Sequence, residues 1–346
     1  MRILGAMSGT SADGIDFALT EFSSSGEKIS YTVLAAETTG YNNQWLEQLR
    51  EAETCTGARL AELHAAYGKY TGEAASRFLQ EHKLTADALS MHGHTLFHQP
   101  QLGFTFQLGS GAAAAAAARL TTICDFRSTD VALGGQGAPL VPIGDKLLYP
   151  EADACLNLGG FANISFETPA GRIAYDICAV NYVLNRLAQR CGKEYDAGGE
   201  MAAGGTVISE VLENLQAIAW YKLLPPKSLG REWAEREIFP LLNEMHSPEN
   251  LLSTFTEHVA LQLSAVCSNK GKVLISGGGA HNKWLLERCR AHGFSNQLVP
   301  DSQTINFKEA IIFALLGWLR INGQPNALSS VTGASKDSCG GAIYLP

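Results

Sequence analysis

Glycine-rich turns are where this sequence has the clearest capacity for chemistry. The first is Ser8-Gly9-Thr10-Ser11-Ala12-Asp13-Gly14, running on into Ile15 and Asp16. Small residues and hydroxyls expose the backbone N–H groups an anion needs and let phosphate oxygens approach closely. No G-x-x-x-x-G-K-[ST] is present, so this is not a Walker A loop, and it leads into a strand rather than a helix, unlike a dinucleotide fingerprint. Asp13 and Asp16 flank it, and carboxylates beside a polyphosphate need Mg²⁺ between them. The competing reading is an ordinary hairpin turn. A second turn is Gly159-Gly160, with Asn157 and Asn163 around it. A third is Gly277-Gly278-Gly279-Ala280-His281-Asn282, between a buried strand and a helix whose N-terminus adds positive potential. Taken together, the turns point to a nucleotide clamped between two lobes.

Charged residues near these turns supply the rest. Asp176 ends an expected strand soon after the second turn, where it could serve as a general base for an acceptor that must lose a proton. It could equally cap the helix expected near Val180. Arg127, in Asp125-Phe126-Arg127-Ser128-Thr129-Asp130, could grip a ligand carboxylate in bidentate fashion, or pair with Asp125 or Asp130. Glu309 opens the last long helix, either as a solvated first-turn acid or as a ligand contact. His92, His94 and His98 lie close together, but no Cys, Asp or Glu nearby completes a ligand set, so no protein-held metal site is expected.

The elements that must position these groups are mixed. Strands are expected at Arg2–Met7, Ile15–Glu21 and Tyr31–Glu37, the last after an SSSGE turn. Helices follow at 43–53 and 58–82, the latter with Leu60, Leu63, Ala66, Tyr67 and Tyr70 at helical spacing. Ala86–Met91 reads as a buried strand. In GSGAAAAAAARL (109–120), Ser110 caps an alanine helix that packs closely on a sheet. A strand at Thr121–Asp125 leads to a Gly/Pro-rich stretch, 134–142, which is a domain junction or an active-site loop. The pattern then restarts, with strands at Ala154–Leu158, Asn163–Glu167 and Ile173–Asp176. Helices follow at 180–191, 207–218, 231–243 and 249–268, then a strand at Lys272–Ser276 and helices from 282 and at 307–321. Each half therefore opens with strand, glycine turn, strand, strand, which describes an α/β protein with two similar lobes.

Composition agrees and excludes other classes. At 346 residues the chain is long enough for about two domains of ~150 residues. With 46% hydrophobic and 17% charged residues it is neither disordered nor a coiled coil. A net charge of −8 without a basic run argues against nucleic acid or an anionic membrane as partner. The eight cysteines form no Cys-x-x-Cys pair and read as small core residues in a reducing compartment. The N-terminal residues lack the apolar run of a signal peptide, so a soluble, cytoplasmic protein is expected.

Seven segments, in order, have a collective look: MSGTSADGID (7–16), HGHTLFHQP (92–100), DFRSTDVALGGQGAPLVP (125–142), LNLGGFANIS (156–165), PPKSLGRE (225–232), ISGGGAHN (275–282) and SVTGA (330–334). Together they closely resemble the anhydro-N-acetylmuramic acid kinase family over nearly the whole chain. That resemblance implies a two-lobed actin-like (ribonuclease H-like) sugar kinase fold with a central cleft. It implies an N-terminal lobe over 1–135, with the C-terminal segment able to pack back on it, and a C-terminal lobe over 136–346. It implies ATP and Mg²⁺, and a sugar substrate, 1,6-anhydro-N-acetylmuramic acid, opened by water and phosphorylated at O6 during peptidoglycan recycling. A homodimer is also implied, since members are often dimeric.

By position, Gly9, Thr10, Ser11, Ala12, Asp13, Gly14, Ile15 and Asp16 match the family's phosphate loop. Gly277, Gly278 and Gly279 match its nucleotide-side glycine loop, and Gly159, Gly160 and Asn163 belong with the same cofactor. Asp176 matches the base that activates water, and Arg127, Glu309 and His92 match sugar contacts. The sequence departs from the family pattern after the base, where Ile177-Cys178-Ala179-Val180-Asn181 stands for Thr-Gly-Pro-Gly-Asn. It departs again at Asp196-Ala197-Gly198-Gly199 and at His92-Gly93-His94-Thr95, which usually has Gln third. Those changes keep two alternatives open, a kinase of another anhydro or amino sugar and a non-catalytic nucleotide or sugar sensor.

Overall fold

The opening pattern of each half becomes the same antiparallel meander twice. In the computed structural model, which describes residues 1–9, 14–26, 28–243 and 245–346, the strands of the first half are β1 (Arg2–Met7), β2 (Gly14–Ser25), β3 (Lys28–Gly40), β4 (Ala88–Met91), β5 (His94–Gln99), β6 (Phe104–Leu108) and β7 (Thr121–Cys124). Then come β8 (Ala154–Leu158), β9 (Phe161–Thr168), β10 (Gly171–Ala179), β11 (Val273–Ser276), β12 (Gln297–Leu298) and, at the end of the chain, β13 (Ala342–Tyr344). One sheet runs β13-β7-β4-β1-β2-β3 and the other β10-β9-β8-β11-β12. In both, a meander (β1-β2-β3, β8-β9-β10) is extended on its first strand by parallel strands (β4 and β7, β11 and β12). Parallel neighbours need long crossovers, which the helices supply. Gly57–Glu81 lies between β3 and β4, Pro248–Cys267 between β10 and β11, and Lys283–Ala291 between β11 and β12.

The chain divides into two compact units, Met1–Leu148 with Phe307–Pro346, and Tyr149–Asn306. Each has its own core. In the first, Leu4, Phe17 and Leu19 pack with Leu63, Tyr67, Phe78 and Leu89. In the second, Leu156, Ile164 and Ile177 pack with Val183, Phe255, Leu263 and Phe294. Among the described residues, no helix is long and apolar enough to cross a membrane.

Several elements depart from the sequence reading, each for a local reason. β2 runs on through Ser25, so Ser23, Ser24 and Ser25 are strand, paired with Ser30, Ile29 and Lys28. Gly26, after the strand's end, takes a positive φ that suits a tight hairpin. A β5–β6 hairpin carries His94 and His98 and went unforeseen. The tail of the Gly/Pro stretch is helical from Val141 to Leu148, with Pro142 in the first turn, where its missing N–H costs nothing. The helix expected at 231–243 stops at Glu237 because Pro240 cannot continue it, and a 3₁₀ turn at Phe239–Leu241 follows.

Ser110 does cap the alanine helix Gly111–Ala118, its hydroxyl accepting from the Ala113 N–H. That helix packs chiefly on the Gly57–Glu81 helix. A Cβ at Gly68 would lie 2.3 Å from the Ser110 carbonyl oxygen, and one at Gly72 2.5 Å from that of Ala114. Glycines on one helix and alanines on the other bring two backbones together where larger side chains would hold them apart.

Candidate active site

The first unit contributes two groups of residues. At the β1–β2 hairpin, Ser8 is buried, its hydroxyl bonded to the Tyr41 hydroxyl at 2.7 Å and to His94 Nδ1 at 3.0 Å. Gly9 follows β1 and Gly14 opens β2. Ile15 sends its side chain into the core, and Asp16 accepts from the Thr38 hydroxyl. Thr10, Ser11, Ala12 and Asp13 lie outside the described residues.

The second group is built around Arg127. Its Nε and Nη2 both donate to His92 Nε2, at 3.1 and 2.9 Å, and its Nη1 donates to the Gly137 carbonyl at 2.7 Å. Neither suggested carboxylate partner is used. Asp125 accepts from the Ser128 hydroxyl, and buried Asp130 accepts from the Gly137 N–H and the Thr332 hydroxyl. The edge of Arg127 best shaped for a bidentate carboxylate is therefore occupied by His92, leaving N–H groups on Nη1 and Nη2 for a ligand. Burial holds His92 neutral, well below the usual imidazole range, with the Arg127 charge adding to that. Burial also pushes Arg127 down to about 10, opposed by Glu309. The 134–142 stretch thus wraps Arg127 through Gly137 and Asp130.

Glu309 is not a first-turn acid. The last long helix starts at Ser302, capped by the Asp301 carboxylate on the Thr304 N–H, so Glu309 stands two turns further in. Loss of water pushes its carboxyl up. Lys308 and Arg127 pull it down, while Asp16 and Asp145 push it further. Lys308 itself pairs with Asp145 at 2.6 Å, both about 5% exposed. Thus Asp16, Arg127 and Glu309, scattered over the sequence, share one electrostatic neighbourhood with His92 beside them.

In the second unit, register does the gathering. Ser276, Asn157, Asn163 and Asp176 stand opposite one another across β11, β8, β9 and β10. Directly paired residues project to the same face, so this is a polar row across one sheet. The second and third glycine turns meet at its end. Gly277 takes a positive φ, and a Cβ there would lie 2.5 Å from Asn157 Oδ1. Asn181 Nδ2 donates to the Leu158 carbonyl beside Gly279. A groove next to these glycines is lined by Gly198, Gly199, His281 and Trp284, which the motif reading had not singled out as contacts.

Asp176 does not end its strand. β10 continues to Ala179, with a bulge between Asp176 and Cys178. Nor does Asp176 cap the Asn181–Arg190 helix, whose first N–H groups go to the carbonyls of Gly159 and Gly160. Instead its Oδ2 accepts from the Leu229 N–H at 2.7 Å and the Ser228 hydroxyl at 3.3 Å. Burial pushes the carboxyl up, and those two donors pull it back. The departures after Asp176 turn inward, since Ile177, Cys178, Ala179 and Val180 are at most 2% exposed and belong to the unit's core. Asp196, in the other altered segment, caps a short helix through the Met201 and Ala202 N–H groups.

The residues missed were those holding Asp176. PPKSLGRE was visible as a segment, but its bonds to Asp176 span more than fifty residues. The one signal was a Pro-Pro, Ser, Gly cluster following aromatic residues.

A family model described as anhydro-N-acetylmuramic acid kinase matches residues 1–346. Curated proteins of that name are similar over nearly their whole length. The one from Mannheimia succiniciproducens is 34% identical, covering 99% of this chain and 98% of its own. That from Synechococcus elongatus is 34% identical, with 99% of both covered. That from Methylorubrum extorquens is 35% identical, covering 100% of this chain and 99% of its own.

Proposed function

The chain belongs to the anhydro-N-acetylmuramic acid kinase family, and from that premise we propose how its residues carry out the reaction. It is a phosphotransferase that uses ATP and acts on 1,6-anhydro-N-acetylmuramic acid in cell-wall recycling. Water adds at the anomeric carbon, the bond from that carbon to O6 breaks, and O6 takes the γ-phosphoryl group. The products are N-acetylmuramic acid 6-phosphate and ADP, with the water proton passing to the base. We place the reaction in the cytoplasm, where ATP is kept.

Asp176 is the base. The observation that carries this is its asymmetric anchorage: Oδ2 is held by two donors, while Oδ1 has no hydrogen-bond partner among the described residues. Burial, by pushing its pKa up, makes it a better proton acceptor than a solvated carboxylate. In the first unit, Arg127 offers its remaining N–H groups to the sugar, with His92 fixing the guanidinium and Glu309 beside it as an acceptor for a sugar hydroxyl. Gly9, Gly14 and the backbone at Ile15 belong to the phosphate side in that unit, and Gly159, Gly160, Asn163, Gly277, Gly278 and Gly279 to it in the other.

Mg²⁺ fits the first unit on chemical grounds. Asp16 is a hard oxygen donor, and its like charge already pushes Glu309 up, a crowding that a divalent cation relieves. When bound with ATP, Mg²⁺ neutralises charge on the phosphates.

The test is coupled ADP release with 1,6-anhydro-N-acetylmuramic acid, ATP and Mg²⁺, followed by the product's mass. A gain of one phosphoryl group and one water is expected. Absence of turnover, where a related kinase converts the sugar under the same conditions, overturns the assignment.

A further inference from the structure

The segment Trp220–Gly230 is a brace for the base, and we propose that Ser228 is a positioning residue within it. β10 is the edge strand of its sheet, so its outer backbone groups need partners from elsewhere. At Asp176 the segment supplies them. The Asp176 N–H donates to the Lys227 carbonyl at 3.0 Å. Two residues further on, the Leu229 N–H returns a bond to Asp176 Oδ2 at 2.7 Å, with the Ser228 hydroxyl at 3.3 Å on the same oxygen. Three consecutive residues thus grip both the backbone and the side chain of one.

The foot of the brace is fixed independently. The Tyr221 hydroxyl bonds His258 Nε2 at 2.9 Å, on the Pro248–Cys267 helix, where His258 is fully buried. The Trp220 ring packs on those of Tyr221 and Trp233. Lys227 Nζ lies 4.2 Å from the Trp220 ring centre and donates to the Tyr221 carbonyl. An aromatic anchor at one end and directed donors at the other are what holding a carboxylate in one orientation requires. The bond through Oδ2 fixes the carboxylate plane and leaves Oδ1 as the oxygen that takes the proton.

Cys178, on the same strand, interacts with Asp176 and with Lys227 of the segment, Tyr221 interacts with Cys178, and His258 on the neighbouring helix bonds Tyr221. Burial pushes the Cys178 thiol and the Tyr221 phenol up and His258 down to about 3, so all three are neutral near pH 7. Of these four groups Lys227 is the cation, and its carbonyl, not its ammonium, bonds Asp176. Ser228 is exposed, so removing its hydroxyl leaves the packing intact.

The inference rests on Asp176 being the base, and the experiment separates the two. Turnover of the anhydro sugar is followed against pH for the wild type, Asp176→Asn, Ser228→Ala and Ser228→Thr, with the KM for ATP measured alongside. Ser228→Ala is expected to lower kcat about fivefold to tenfold and to raise the acid limb of kcat/KM by about half to one pH unit, because one donor to the anion is gone. The KM for ATP stays at the wild-type value, and Ser228→Thr restores the limb. Wild-type kcat and an unmoved limb in Ser228→Ala, with Asp176→Asn inactive, overturn the positioning role alone. Near-wild-type turnover by Asp176→Asn overturns the base assignment, and the positioning role with it.

Discussion

Replacing Asp176 with Asn should cost activity and add stability, and the reason for both lies in the bonds to Oδ2. Asn has the same shape as Asp. Because both anchoring groups, the Leu229 N–H and the Ser228 hydroxyl, are donors, an Asn at 176 must turn its carbonyl oxygen towards them. Its NH₂ then stands where Oδ1 stood, a donor in place of the proton acceptor. Loss of a general base costs about 10²–10⁴-fold in rate, or about 2.7–5.4 kcal/mol at 1.36 kcal/mol per tenfold.

Stability should move the other way. Burial holds the Asp176 pKa above its ordinary value of 3.8 in the folded chain. A raised folded pKa means that the fold disfavours the anion. The cost is absent below the unfolded pKa, grows as pH climbs through the folded one, and is complete above it. Asn carries no charge and escapes that cost. Asp176→Asn should therefore be more stable than the wild type near pH 7, with the difference closing as pH falls towards about 4. Single-turnover kinetics and urea unfolding at both pH values read the two halves separately. A variant less stable than the wild type at neutral pH would show that the two donors outweigh burial and would refute the linkage argument. Near-wild-type turnover would refute the role of Oδ1.

Two further predictions concern the first unit. Gly68→Ala gains about 1 kcal/mol of helix propensity but drives a Cβ to 2.3 Å from the Ser110 carbonyl oxygen, and overpacking costs about 1–3 kcal/mol with the Ser110 cap also disturbed. It should lower the thermal midpoint, whereas Gly57→Ala, in the same helix with open space around it, should not; a rise for Gly68→Ala would mean that the two helices separate freely. Lys308→Met leaves Asp145 buried without that cation and should destabilise by about 3–5 kcal/mol in urea unfolding. Adding Asp145→Leu should recover most of the loss, and equal stability of the single variant and the wild type would show that Lys308 is replaceable there.

Much of the architecture was legible because it is local. The strands at RILGAM and IDFALTE, the helical spacing from Leu60 to Tyr70, Ser110 ahead of its alanines and the repeated turn-and-strand opening depend on neighbours a few residues apart, and they appear where expected. The β5–β6 hairpin and the Val141–Leu148 helix were not legible, since histidines and Gly/Pro flanks masked their patterns and tertiary packing overrode weak local preference.

The candidate site divides along the same line. Residue type and place in the chain were enough to nominate Asp176, Arg127, Glu309, His92 and the glycine turns. What each side chain does was decided elsewhere. His92 occupies Arg127 from 35 positions away, and Leu229 holds Asp176 from 53 away, so neither bond leaves a trace in any short window of sequence. In the sequence Ile177 to Val180 stand only as a departure from the family pattern after the base, and it is the folded chain that packs their side chains into the core. A linear sequence sets which groups are present and which local backbone they prefer. Only the folded chain sets which of their lone pairs and N–H groups are already used, and that remainder is what a substrate can bind.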